Sequence, residues 1–128
     1  LGMIHSMAHP LSAEFNIHHG LANALLIKFG MEFTIAKALE TSNQALKEKL
    51  NLIGNIILNS TTEDVALLPE NLNNFIHNLG ISGGLEQHGI LPNHIPKLAQ
   101  LAFEDSCHAT HPFPVSIEDF HAVYTRAL

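Results

Sequence analysis

The chain has 128 residues, a formal charge of −6 and 46% apolar residues spread along its length, which suits one folded domain with a real core and not a disordered tail. Only 6 Lys and Arg are present, leaving no basic stripe for phosphate contacts, so neither nucleic acid nor an anionic membrane surface is an expected partner. The single cysteine, Cys107, excludes an internal disulfide and points to a cytoplasmic setting.

Taken in chain order, the apolar spacing is helical almost throughout. Residues 1–9 read as a helix stopped by Pro10, because proline disfavours helical geometry in the residue before it. Gly20 marks a boundary, and residues 21–40 hold one or two helices with Gly30 as the weak point. Lys28 and Glu32 interrupt that apolar stretch too often for it to span a bilayer. The first residues also lack the basic region, apolar core and cleavage site of a signal peptide. Thr41-Ser42-Asn43-Gln44 is a helix start of the capping-box kind, and the helix it opens aligns Leu46, Leu50, Ile53 and Ile57 in one apolar stripe. Ser60-Thr61-Thr62-Glu63 is a second capping signal, followed by a helix over residues 67–79 and a turn at Ile81-Ser82-Gly83-Gly84. A further helix over residues 96–107 takes Pro96 in its first turn, where the missing N–H costs nothing. Ser116-Ile117-Glu118-Asp119 caps the last helix, with Phe120, Val123 and Tyr124 facing inward. Nothing alternates as a strand, so the fold class is all-α, as one domain over residues 1–128.

The chemistry is concentrated in the histidines. There are 10, and His5, His9, His18 and His19 all fall in the first stretch. His5 and His9 stand at i and i+4, so a helix puts both imidazoles on one face, about one turn apart. If the chain doubles back between Pro10 and Gly20, His19 returns to the level of His5. Neutral imidazoles favour Zn, Fe, Cu or Ni over Mg or Ca. Two histidines fill no complete shell, and Glu14, Glu32, Asp105 and the distant histidines are candidates that no spacing singles out. No His-Glu-x-x-His run supports a zinc protease. The residues alone thus give an incomplete metal site near the N-terminus, to be completed from outside the chain.

The run Gly2-Met3-Ile4-His5-Ser6-Met7-Ala8-His9-Pro10-Leu11-Ser12-Ala13, followed by His18-His19-Gly20-Leu21-Ala22-Asn23-Ala24, closely resembles the long signature of the iron-containing alcohol dehydrogenase family. Ile81-Ser82-Gly83-Gly84-Leu85, Ile95-Pro96-Lys97-Leu98-Ala99, Asp105-Ser106-Cys107 and Ser116-Ile117-Glu118-Asp119-Phe120 extend the resemblance over nearly the whole chain. Thr110-His111-Pro112-Phe113 departs from it, since many members have Asn-Pro-Arg after the threonine.

The resemblance implies a helical bundle corresponding to most of the C-terminal domain of a dehydroquinate synthase-like fold. It makes His5 and His19 the metal ligands, the latter standing fourteen positions after the former as in the family motif. It places His9 beside the metal and the nicotinamide, orienting substrate or passing its proton to solvent. The implied metal is Fe(II), or Zn(II) in some members, and the implied cofactor is NAD or NADP. The substrate would be a small alcohol or aldehyde. The N-terminal dinucleotide-binding half, with an aspartate and another histidine for the metal, is absent from this sequence, which therefore reads as a fragment of a two-domain enzyme and inactive alone. The alternatives are a stand-alone helical metal-binding module and an oligomerisation module, both without catalysis. His18 is expected as a supporting or surface residue, and His77, His88, His94, His108, His111 and His121 as surface or ordinary helix positions. Cys107 is expected as a buried, inert thiol within a helix, and Phe15, Phe29 and Phe33 as core.

Overall fold

The computed structural model describes residues 1–58 and 64–128, and every regular element among them is helical. Six α-helices follow one another: α1 (Met3–Phe15), α2 (His19–Glu40), α3 (Gln44–Leu58), α4 (Leu68–Asn78), α5 (Ile95–Glu104) and α6 (Ile117–Ala127). Short 3₁₀ turns at Val65–Leu67, Leu85–His88, Pro92–His94 and Ser106–Thr110 join the later ones. The capping signal at Ser60-Thr61-Thr62-Glu63 lies outside the described residues.

α2 is the spine. Its 22 residues run about 33 Å at the standard rise, and its apolar residues lie on several sides, the mark of a helix packed all round. Around its first half, Leu25 and Leu26 join Met3, Met7 and Leu11 of α1, Leu98 and Ala102 of α5, and Phe120 and Tyr124 of α6 in the main core. Around its second half, Ile35 and Ala38 join Leu50 of α3 and Leu68 and Leu72 of α4 in a smaller one.

The helix at the N-terminus does not stop at Pro10. It continues to Phe15 and ends on Asn16, whose left-handed backbone (φ 56°) returns its N–H to the Leu11 carbonyl. Proline removes one N–H donor from the helical ladder. Packing outweighs that loss, because Met7, Ala8 and Leu11 are wholly buried around it and Pro10 is buried too. The Tyr124 hydroxyl adds a tie from α6 by donating to the Met7 carbonyl at 2.6 Å. The chain then reverses over residues 16–18, and α2 begins at His19.

Gly30 is no break either. α2 is continuous through it, and the missing side chain lets α1 approach: a Cβ there would lie 2.5 Å from Cγ1 of Ile4. The start of α3 also differs from the expected box. Thr41 bonds back to the Lys37 carbonyl and closes α2, while Asn43 Oδ1 accepts from the Leu46 N–H. Of the α3 stripe, Leu50 is buried and Leu46 half-buried, but Ile53 and Ile57 are each 40% exposed. The second half of α3 is covered at Gly54, which is buried beside Leu68, but not along the whole stripe.

The α4, α5 and α6 helices fall close to the expected positions, and Ser116 with Asp119 forms the reciprocal cap of α6. α5 ends at Glu104, three residues before the expected end. Asp105 is extended (ψ 131°) and accepts from the Cys107 N–H, which starts the turn Ser106–Thr110 in place of another helical residue. Cys107 therefore lies in that short 3₁₀ turn and not in α5.

Candidate functional site

α1 and α2 bring three imidazoles together. His5 and His9 lie one turn apart on α1, and the reversal at residues 16–18 returns His19 to face both. The ring centroids are 5.4 Å apart for His5 and His19, 5.3 Å for His9 and His19, and 6.2 Å for His5 and His9. His19 is held by Asn23 one turn on, which donates to the His19 carbonyl at 2.9 Å and stands 3.1 Å from its Nε2. His18 points elsewhere: exposed, it caps α2 by accepting from the Gly20 N–H. Burial lowers the pKa of His5, and the neighbouring His19 lowers it further, which favours the neutral imidazole that a metal requires.

Beside His5 and the start of α2 lies an apolar hollow of about 380 Å³, lined among others by Ile4, Ala24, Ile27 and Ile76. The donor set is imidazole nitrogen next to an apolar wall, with His19 exposed. That chemistry fits a borderline divalent ion such as Fe(II) or Zn(II). The rings leave coordination positions to be filled from elsewhere.

A second arrangement was not legible in the sequence. His9 Nδ1 lies 2.8 Å from Asp105 Oδ2. The other oxygen, Oδ1, accepts from the Ser6 hydroxyl at 2.9 Å and from the Cys107 N–H at 2.8 Å. Ser6 Oγ in turn accepts from the His108 N–H at 2.8 Å. Partial burial works to raise the Asp105 pKa, but hydrogen bonds from His9, the Cys107 backbone and Ser6 outweigh it and hold the carboxyl well below the usual carboxylate range. His9, Asp105 and Cys107 each offer a ligand atom within 4.8 Å of the others. The set is poorly suited to an ion, since the carboxylate is already engaged by Ser6, Cys107 and His9 and the thiol stays protonated: burial pushes the Cys107 pKa up, and the adjacent carboxylate pushes it further.

Two histidines expected at surface or ordinary helix positions are half-buried against aromatic rings in the turn region. His108 stacks on Phe103 and meets the edge of Phe120, and its Nδ1 is 2.6 Å from the Asp105 carbonyl. His111 sits between Phe33 and Phe113, where burial and then His108 lower its pKa. Both lie in the turn region that α1 presses against. His77 and His121 are exposed, and His94 tilts against Phe15. Phe15, Phe29 and Phe33 pack on the main core, as expected.

An all-helical domain that converges imidazoles from its first two helices is the class the geometry defines. Comparison with known proteins gives the family. The model of the Fe-containing alcohol dehydrogenase family, C-terminal, matches residues 1–128, and the chain belongs to that family. Lactaldehyde reductase of Escherichia coli (strain K12) is 29% identical over 128 residues, covering 99% of this chain and 32% of the relative. NAD-dependent methanol dehydrogenase of Bacillus methanolicus is 26% identical over 129 residues, covering 100% of the chain and 33% of the relative. The solved alcohol dehydrogenase from Oenococcus oeni superposes with a TM-score of 0.83 at 23% identity, over 100% of this chain and 33% of that one, which supports the fold. The chain thus spans about a third of the length of the curated relatives it matches.

Proposed function

We propose that this chain is the metal-site domain of an NAD(P)-dependent alcohol dehydrogenase, in which His5 and His19 ligate the metal and His9 handles the substrate proton. The observation that carries this reading is the convergence of the three rings at 5.3–6.2 Å within a chain matched end to end by the family model. The substrate class is a small alcohol or its aldehyde, in keeping with the relatives named for lactaldehyde and methanol. Hydride would pass between the alcohol carbon and a nicotinamide held by a dinucleotide-binding half outside these 128 residues.

When bound, the metal, Fe(II) or Zn(II), supplies a Lewis acid for the alcohol oxygen. His5 and His19 would hold it as neutral donors from two helices that Gly30 packs tightly together. His9, whose side chain is 43% exposed, can exchange a proton with solvent, which a relay residue must do. The hollow beside His5, lined by Ile4, Ala24 and Ile27, would shield one side of the site from water. No described helix is long and apolar enough to cross a membrane, and a cytoplasmic enzyme is part of the proposal.

The test is alcohol-dependent NAD(P)H formation by the protein containing this chain, with bound metal measured in parallel. His5→Ala and His19→Ala are each expected to lose metal and rate together, by more than the roughly 10–100-fold that residues merely supporting a ligand cost. Full metal content and rate in His5→Ala would defeat the ligand assignment. A second reading, self-association without catalysis, is favoured by the exposed apolar side chains Leu52, Ile56, Phe75 and Leu79. Turnover by the protein would exclude it as the sole function.

A further inference from the structure

The turn after α5 is tied to α1 by several hydrogen bonds, and in one of its side chains, Asp105, both oxygens are engaged. Oδ1 caps the turn by accepting from the Cys107 N–H and also accepts from the Ser6 hydroxyl. The Ser6 oxygen is itself an acceptor for the His108 N–H, so its own proton is committed to Asp105. These contacts account for a cap and a tie to α1. They leave Oδ2 over, and Oδ2 is the atom set 2.8 Å from His9 Nδ1.

We infer that Asp105 is a positioning residue that keeps the proton of neutral His9 on Nδ1 and so leaves Nε2 as the ring nitrogen able to accept a hydrogen bond. An ionised carboxylate has no proton to give. Opposite it, a histidine with a bare Nδ1 would set two lone pairs against each other, whereas the Nδ1–H form makes a charge-assisted hydrogen bond. The Ser6 hydroxyl and the Cys107 N–H both donate to Oδ1, as suits a carboxylate and not a carboxylic acid. Stacking on His19 at 5.3 Å and 23° restrains the same ring from a second side. The role in turnover rests on the function proposed above, but the tautomer does not.

The experiment combines ¹⁵N NMR of the histidine rings, on zinc-loaded or metal-free protein, with steady-state kinetics of Asp105→Asn, His9→Ala and their double variant. In the wild type, His9 should show a protonated Nδ1 and a bare Nε2. Asp105→Asn keeps the shape and the capping oxygen but can turn an NH₂ toward His9, which should move the ring proton to Nε2. Metal content and KM should hold while kcat falls by on the order of 10–100-fold. In the His9→Ala background the same substitution should cost little further, because Asp105 acts through His9. A bare Nδ1 in the wild type overturns the inference, and that measurement decides it even if Asp105→Asn fails to fold. An undiminished kcat in Asp105→Asn, or an equal loss of kcat with and without His9, also overturns it. A protein that shows the expected tautomer but never turns over an alcohol would refute the proposed function and leave the Asp105–His9 assignment standing.

Discussion

Asp105 also sets a pH dependence that can be read without any activity. Its unfolded carboxyl titrates near 3.8 and the folded one lower, held there against desolvation by His9, Cys107 and Ser6. As the pH falls, the unfolded state therefore binds the proton first. The stability that Asp105 contributes is present in full above about pH 5 and is lost progressively as the pH drops below 3.8 toward the folded value. Asp105→Asn is expected to be less stable near neutrality and to show a flatter decline in Tm between about pH 5 and pH 3. Equal slopes for the two proteins would mean that the carboxylate is not ionised against its donors in the folded state. None of this was legible in the sequence. The partners lie 96 and 99 positions apart, and Asp105 stood among several acidic candidates of equal standing. The pairing of His5 with His9 was legible, because a helix alone fixes it. So was the return of His19, once a reversal was placed between the two helices.

At the scale of elements, what spacing fixes is where a helix runs. It does not fix how much of its apolar face finds a partner. The cap of α6 and the turn before α5 follow from local chemistry, and the structure has them where expected. The boundaries misjudged at Pro10 and at Cys107 both fall where a distant element intervenes: Tyr124 from α6 at the first, Ser6 from α1 at the second. The stripe of α3 is the third case. Periodicity puts Leu50 and Ile57 on the same face, yet Leu50 is 3% exposed and Ile57 40%. Leu50→Ala should then cost about 2–4 kcal/mol of stability through lost transfer energy and a cavity. Ile57→Ala should cost under about 1 kcal/mol, as at other half-solvated sites. Equal losses in denaturant titrations would show that Ile57 is packed as well as Leu50.

For the whole molecule, the deciding fact is that the described fold brings three imidazoles together. α1 and α2 carry the three rings, and the helices that follow hold those two in place through the main core. Among the described residues, the groups nearest the rings add little, since Asp105 is already engaged by Ser6, Cys107 and His9 and the Cys107 thiol stays protonated. A site of this kind should still recognise a borderline ion. Because the unfolded chain scatters His5 and His19, the ion binds the folded state in preference and raises its stability by an amount set by concentration over Kd, about 2.7 kcal/mol at a hundredfold excess. Added Zn(II) should therefore raise the Tm of the 128-residue chain in a dose-dependent way. His5→Ala and His19→Ala should each remove most of that shift, while the exposed, distant His121→Ala should leave it unchanged. A shift that survived His5→Ala and vanished with Cys107→Ala would move the metal to His9, Asp105 and Cys107 instead. A Tm that Zn(II) does not move at all would mean that the two helices alone hold too few donors, and that affinity arises only when the outside ligands close the shell.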